Sequence, residues 1–157
     1  MKISDFKGIF KKSKITLLKK ENIALDYWQF DFKIDKGYSW QAGEHGAFII
    51  RKPKFKGKSF RAFSVASTPE EGFLRIITRT GENISNYKQA LINFDIGDKM
   101  TLIGPFGWFK LPINPAPIVI IVGGVGFAPA RALLQKLEDQ TDFPSKLLYI
   151  SNDIYLY

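Results

Sequence analysis

The sequence of 157 residues contains no cysteine and a single histidine, His45. Without cysteine the chain has no disulfide, no thiolate metal ligand and no thiol nucleophile. One histidine with no acidic cluster arranged around it does not make a metal centre, so we predict no metal site. The lack of cysteine fits a reducing compartment, and we expect a cytoplasmic protein.

Long hydrophobic runs are also missing. The longest covers residues 118–122 and is extended by glycines to 127, whereas a bilayer-spanning helix needs about 20 apolar residues. The sequence does not open with the charged and apolar regions of a secretory signal peptide. We therefore expect neither a membrane span nor a secretory leader. The composition, 45% hydrophobic and 24% charged, is that of a folded globular protein.

Positive charge is in excess, with a formal net charge of +8. Much of it lies in the run RKPKFKGKSFR at 51–61 and in Lys11, Lys12, Lys14, Lys19 and Lys20. Such a surface is compatible with a solvated basic face, with docking of an acidic partner, or with a nucleic-acid groove. No recognised nucleic-acid motif accompanies the charge, which weighs against the third interpretation.

The pattern of residue types changes once along the chain. Up to residue 103 it consists of about six short runs rich in β-branched and aromatic residues, interrupted by one helical segment at 84–91. The proline-rich stretch LPINPAPIV then marks a junction, and a strand–turn–helix–strand pattern follows. We predict a mainly β protein, with a six-stranded antiparallel barrel over 1–112 and a partial Rossmann-like βαβ unit over 117–157.

The second unit begins with IVIIVGGVGFAPARALLQKL at 118–137. Its continuous apolar run predicts a strand buried on both faces. Glycines allow a tight turn and close approach of a ligand, and Pro129 fits the first helical position. Core-facing residues then recur at helical spacing: Ala130, Leu133, Leu134 and Leu137. Because Pro129 stands at the third position of the GxGxxG pattern, the turn alone indicates either a nucleotide site or an ordinary strand-to-helix turn.

Two stretches of the first unit carry further candidates. In RAFSVAST at 61–68, strand alternation places Arg61 and Phe63 on one face and Ser64 on the other. The first two suit phosphate binding and ring stacking, or else a surface arginine and a core phenylalanine. In TRTGENISNYKQAL at 78–91, a turn at Gly81 leads to a helix opened by Ile84 and Ser85. That helix start is either a second phosphate cradle or an ordinary cap.

Taken together, R-x-F-S, G-x-N-x-S, GPFGWF at 104–109 and GGVGFAP at 123–129 resemble the ferredoxin–NADP⁺ reductase superfamily. The resemblance extends from WQAGEHGAFI at 40–49 to the C-terminus. It implies an FAD-binding barrel followed by a nicotinamide-binding domain. The implied activity is electron transfer between NAD(P)H and an electron carrier or small acceptor through flavin. An acidic electron-transfer protein would suit the basic surface.

The resemblance also implies roles for individual residues. Within RAFS, Arg61 would pair with the FAD pyrophosphate, Phe63 would stack near the isoalloxazine, and Ser64 would be the catalytic residue near flavin N5, with Ala62 in the same motif. The remaining cofactor-binding residues implied for FAD are Ile77, Thr78 and Arg79 through their backbone groups, Gly81, and Ile84 and Ser85 through their N–H groups. Those implied for the nicotinamide dinucleotide are Gly123, Gly124, Gly126 and Pro129. A structural role is favoured for His45, and the alternative that the resemblance implies is a modest contact near the flavin.

Two departures from the family pattern leave alternatives open. Gly123 and Val125 stand where the family often has threonine, and the cysteine-containing C-terminal motif is missing. We therefore expect either a truncated chain or one part of a split reductase, with an incomplete nicotinamide domain whose exposed strand edge a missing segment or a dimer would cover. The alternatives are a flavin-binding remnant without turnover and a basic β-barrel binding module. FMN could replace FAD, and the choice between NADH and NADPH stays open.

Overall fold

The computed structural model describes residues 8–34, 37–51, 57–113 and 117–138 and, for the backbone alone, 145–150. Its larger part is one antiparallel sheet of six strands in the order β4-β3-β6-β1-β2-β5. The strands are β1 (Lys12–Ala24), β2 (Tyr27–Lys33), β3 (His45–Ile49), β4 (Phe60–Ser64), β5 (Leu74–Arg79) and β6 (Lys99–Phe106). The predicted mainly β architecture with six antiparallel strands is confirmed.

The sheet curls into a half-barrel whose first and last strands, β4 and β5, do not share a ladder. Just beyond β4 the chain comes close to β5, because the Ala66 N–H donates to the Arg75 carbonyl at 2.8 Å. The preceding residue is bound to the segment before β3, because the Val65 N–H donates to the Glu44 carbonyl at 2.9 Å. Backbone hydrogen bonds therefore hold the segment that follows β4 to β5 and to the residue before β3.

Alternating side chains of the strands fill the half-barrel with apolar groups. The largest fully buried ones are Phe30, Phe32, Phe48, Tyr87, Phe94, Ile15, Leu17, Ile50, Leu74, Ile76, Leu91 and Leu102. Two of these, Tyr87 and Leu91, come from helix α1 (Asn86–Ile92), which packs over the core. The Tyr87 hydroxyl donates to the Phe48 carbonyl at 2.9 Å, so burial of this polar group is compensated by a hydrogen bond.

Helix α1 begins later than the sequence predicts. The expected span was 84–91 with Ile84 and Ser85 as its first residues, but the first helical residue is Asn86. Ser85 is the N-cap, with extended backbone and a side-chain oxygen that accepts from the Lys88 N–H at 3.4 Å. Serine favours this position because its hydroxyl satisfies a helix N–H that lacks an internal partner.

The second unit is the predicted βαβ arrangement. Strand β7 (Ile118–Gly123) leads through a single 3₁₀ turn into helix α2 (Phe127–Glu138), and strand β8 (Ser145–Ile150) pairs with β7 in parallel. Pro129 is the third helical residue and not the first. Any residue of the first turn lacks an internal partner for its N–H, so proline is tolerated there too. The proposed boundary between 112 and 117 stays a prediction, because 114–116 lie outside the described residues.

The burial of helix α2 agrees with the sequence prediction, but the burial of strand β7 does not. Ala130, Leu133 and Leu137 are buried and Leu134 packs against them, which confirms the predicted stripe. The expectation that β7 is buried on both faces is wrong. Val119 and Ile121 are 60% and 64% exposed, while Ile120 on the other face is buried. Helix α2 covers only the face of Ile120, and no other described residue buries the opposite face. Residues 151–157 of the predicted unit lie outside the described part.

Candidate cofactor site

Arg61 and Phe63 lie on the same face of β4, as strand alternation predicts. The Phe63 ring meets the ring of Phe48 edge-on at 5.6 Å between centroids and that of Tyr87 at 6.0 Å. The Arg61 guanidinium lies over the Tyr87 ring, 5.5 Å from its centroid. Phe63 is half-buried, so it supports the core with one part of its surface and leaves another part accessible.

Arg61 has no carboxylate within ion-pair distance among the residues that the structure describes. Its guanidinium donates only to the carbonyl of Phe60, at 3.0 Å. A second cation lies nearby: burial, followed by the positive charge of Arg61, lowers the pKa of Lys88, and Asp26 offsets this in part. The Lys88 ammonium donates to the Arg79 carbonyl. Two neighbouring cations repel one another, and an anion between them would relieve that repulsion.

Lys88 was not singled out from the sequence, although a signal was present. It stands three residues after Ser85, in the first turn of α1, where the motif places phosphate contacts. Its convergence with Arg61 depends on how α1 packs against β4, and spacing along the chain does not show that.

Ser64 lies on the opposite face of β4, directly across the ladder from His45. The His45 ring meets the ring of Phe106 at 4.7 Å and that of Trp108 at 6.3 Å, both edge-on. His45 is thus part of an aromatic cluster beside Ser64, which agrees with a structural role. Ala62 shares the face of Ser64 and is exposed. Within the described ranges, no three side chains of metal-ligating type come together.

The end of β5 is held by Asp26. Its carboxylate accepts from the Arg79 side chain at 2.9 Å and from the Gly81 N–H at 3.0 Å. Gly81 has a φ of +69°, a left-handed conformation that favours glycine. Ile77 and Thr78 are buried, at 9% and 4% exposure. The predicted cofactor contacts of this segment were backbone groups, and the side chain of Arg79 is committed to the turn.

The glycine turn packs against the outer side of β2 and β5. Gly124 has a φ of +51°, and a Cβ there would lie 3.3 Å from the Tyr27 hydroxyl, so this position requires glycine. Gly123 is extended, and a Cβ at Gly126 would meet no atom within 4 Å. Between the turn and the sheet lies a cavity of about 190 Å³. Its lining includes Ile77, Tyr27, Gln29, Val125, Phe127 and Arg131.

The predicted residues therefore fall into two groups. In the first group, Arg61 and Phe63 both contact Tyr87 of α1. In the second group, Ile77 and Gly124 line the cavity beside the glycine turn. Ser64 lies at the end of β4 beside His45. Ile84 precedes the α1 cap, and the Ser85 side chain is already used by that cap.

A basic groove lies on the outer face of β1, β3 and β6. We call it the basic groove and define it by Lys12, Lys14, Arg51 and Lys99, with Thr101 between them. Its volume is about 490 Å³. The four cations have no carboxylate at ion-pair distance among the described residues. None of the helices in the described part of the chain is both long and apolar enough to cross a membrane.

Sequence comparison finds relatives among NADH-quinone reductase subunits and dioxygenase electron transfer components, although no protein-family model matches the chain. The Na⁺-translocating NADH-quinone reductase of Shewanella denitrificans contains a subunit that is 34% identical over 117 residues, which are 69% of this chain and 28% of the relative. The toluate 1,2-dioxygenase electron transfer component of Pseudomonas putida is 33% identical over 92 residues, 57% of this chain and 27% of the relative. The chain spans little more than a quarter of the length of these relatives.

Solved structures share the fold. The flavohem-like FAD/NAD-binding domain of nitric oxide dioxygenase from Vibrio cholerae matches with a TM-score of 0.79 and 21% identity, over 90% of this chain and 63% of that one. A ferredoxin NADP⁺ reductase from Neisseria gonorrhoeae with bound FAD and NADP matches with a TM-score of 0.73 and 21% identity, over 88% and 57%.

Proposed function

The chain belongs to the ferredoxin–NADP⁺ reductase superfamily, and from that premise we propose that it binds FAD and passes electrons from NAD(P)H through the flavin to an acceptor. The proposed cofactor site is the surface formed by β4 and α1. The observation that carries the proposal is the Arg61 guanidinium over the Tyr87 ring, beside the half-buried Phe63 ring and without a carboxylate at ion-pair distance among the described residues.

The donor set fits FAD at both of its chemically distinct parts. A pyrophosphate carries negative charge, and Arg61 offers a planar fork of donors without a competing carboxylate among the described residues. Lys88 follows Tyr87, whose ring lies under the Arg61 guanidinium, in the first turn of α1. The isoalloxazine is flat and largely apolar, and the accessible part of Phe63 suits it.

The roles proposed for the remaining residues are those that the family resemblance implies. When bound, FAD supplies the redox chemistry by accepting hydride and passing electrons onward. Ser64, at the end of β4, would donate or accept a hydrogen bond at flavin N5 and thereby orient the ring. Gly124 and its neighbours Gly123, Gly126 and Pro129 would admit the dinucleotide backbone. Backbone groups of 77–79, Gly81, Ile84 and Ser85 would hold the ribityl and phosphate region.

Loading the purified chain with FAD tests this function directly. We expect flavin absorption bands that stay with the protein through gel filtration and that bleach when NADH or NADPH is added without oxygen. Bands that persist after the addition would indicate a flavin-binding remnant without turnover. A chain that retains no flavin would contradict the proposal and favour the basic binding module. A parallel experiment with FMN decides between the two flavins.

We further propose that the acceptor is an acidic electron-transfer protein that docks at the basic groove. Support comes from charge complementarity: four cations surround one depression and have no carboxylate partner in the described part of the chain. Clustered charge of one sign steers an oppositely charged partner during encounter and raises the association rate. The cytoplasmic location stays a prediction of the sequence, and so do a dimer and a further C-terminal segment.

The double substitution Lys14→Glu and Lys99→Glu tests the groove. At low ionic strength we expect association with an acidic [2Fe–2S] ferredoxin to slow by about tenfold or more, because steering is lost. The difference should shrink as salt screens the charges. The matched control, Lys19→Glu with Lys33→Glu, changes the net charge equally outside the groove. Equal slowing by both pairs in stopped-flow measurements would argue against a defined docking site.

A further inference from the structure

One arginine of helix α2 forms three hydrogen bonds to the half-barrel. The Arg131 guanidinium donates to both carboxylate oxygens of Glu71, at 2.9 and 3.0 Å, and to the Ala66 carbonyl at 2.7 Å. The exposed fractions of the Arg131 and Glu71 side chains are 25% and 17%. This is the bidentate geometry in which arginine binds a carboxylate with greatest strength and specificity.

The two acceptors of Arg131 are themselves held in place. Glu71 accepts from the Thr68 N–H at 2.8 Å, which fixes it in the short 3₁₀ turn Pro69–Glu71. Ala66 is fully buried, and its own N–H is bonded to the Arg75 carbonyl of β5. Burial raises the pKa of Glu71, but hydrogen bonds from Arg131 and Thr68 outweigh this and bring it below its usual value. The carboxylate is therefore ionised at neutral pH.

Arg131 connects the two parts of the proposed site. At one end, α2 continues without a break from the glycine turn, so the helix and the turn move as one piece. At the other end, Ala66 follows Ser64 by two residues on a rigid strand end. Ala128 packs with Ala66 and Ile77 in a small buried cluster beside this contact. The position of the glycine turn relative to Ser64 is thus tied to Arg131.

We propose that Arg131 is a positioning residue that fixes the glycine turn against the Ser64 end of β4. The inference rests on the proposed function, since this distance matters because a nicotinamide held at the turn must reach a flavin held at β4. A displacement of about 1 Å between reacting groups can cost about a hundredfold in rate. In this proposal Arg131 acts through the orientation of α2 and not by contact with the groups that react.

A second ion pair on the same helix supplies the matched control. Lys136 pairs with Glu70 at 3.1 Å, next to Glu71 in sequence, but these side chains are 42% and 60% exposed. Exposed pairs contribute little to stability or orientation. Lys136→Met therefore removes a link between the same two elements without removing the buried fork.

Distance measurement between spin labels tests the proposal without any cofactor. The chain has no cysteine, so Lys33→Cys on β2 and Glu138→Cys at the end of α2 give two unique labels on exposed positions. We expect a narrow distance distribution in the otherwise unchanged protein and with Lys136→Met, and a broad one with Arg131→Met. Arg131→Lys keeps the charge and should restore the width only in part, because lysine lacks the planar fork.

Loading with FAD adds an independent readout. With Arg131→Met we expect unchanged FAD affinity and a rate of flavin bleaching at saturating NAD(P)H about tenfold to a hundredfold lower. A merely structural role would lower the melting temperature and leave both the distance distribution and this rate unchanged, which would overturn the proposal. If the unsubstituted chain retains no FAD, the proposed function fails, while the label distances still decide whether Arg131 fixes α2.

Discussion

Replacing Arg61 by alanine is expected to weaken FAD binding by about tenfold to a hundredfold. A hydrogen bond to a charged group contributes about 1.5–3 kcal/mol, and each 1.4 kcal/mol is a factor of about ten in affinity. Arg61 is available for such bonds because its only hydrogen-bond acceptor among the described residues is the adjacent Phe60 carbonyl. Titration of FAD, followed by quenching of its fluorescence, measures the loss directly.

Two further variants serve as controls for Arg61→Ala. Arg61→Lys keeps the charge but not the fork, so its FAD affinity should lie between those of alanine and arginine. Lys58→Ala removes the same charge three residues earlier, at an exposed position, and should have little effect. A loss as large with Lys58→Ala would mean that net charge alone attracts FAD. The melting temperature should change little, because Arg61 contributes only one hydrogen bond and a contact with the Tyr87 ring.

The part of this site that depends on local periodicity could be predicted from the sequence. Alternation along β4 placed Arg61 and Phe63 on one face, and the structure agrees. The two interpretations of Phe63, core or stacking platform, are compatible in the structure because the ring is half-buried. Helical spacing likewise identified the buried stripe of α2, since a period of 3.6 residues specifies one face whatever lies opposite.

Contacts between distant segments could not be predicted in this way. Arg131 and Glu71 are separated by 60 positions in the sequence, and neither belongs to a motif that specifies the other. The same holds for Arg61 and Lys88, which meet only because α1 packs over the open side of the half-barrel. Propensity and spacing describe single elements, whereas these contacts arise from how the elements are arranged.

The burial of β7 shows a different limit of prediction from the sequence. A continuous apolar run is typical of a strand covered on both faces, and it correctly predicted a parallel strand. It did not reveal that the face of Val119 and Ile121 is exposed among the described residues. The hydrophobicity of a strand indicates which surfaces it can pack against. Whether a given face is buried depends on which other segments lie over it. The exposed face is therefore a property of the tertiary structure that this run does not report.

The second large effect is expected from Gly43→Ala, which should destabilise the fold by about 3 kcal/mol or more. Gly43 has a φ of +86°, and a Cβ there would lie 1.7 Å from the Phe109 carbonyl oxygen and 3.4 Å from a Leu133 methyl. The main chain at Phe109 must therefore move, and Lys110, which pairs with Glu44 at 3.3 Å, would move with it.

The control for Gly43 is Gly72→Ala, because Gly72 has nearly the same backbone conformation, a φ of +80°, but no atom within 4 Å of a built Cβ. It should incur only the cost of the left-handed conformation, about 1–2 kcal/mol. Urea unfolding of both variants separates the two contributions, since the difference between them measures the close approach alone. Equal destabilisation would contradict the tight packing of the 43–44 turn against the segment that leads from the half-barrel to the βαβ unit. A much larger loss at Gly43 would mean that this turn holds the connecting segment, and through Leu133 helix α2, against the half-barrel.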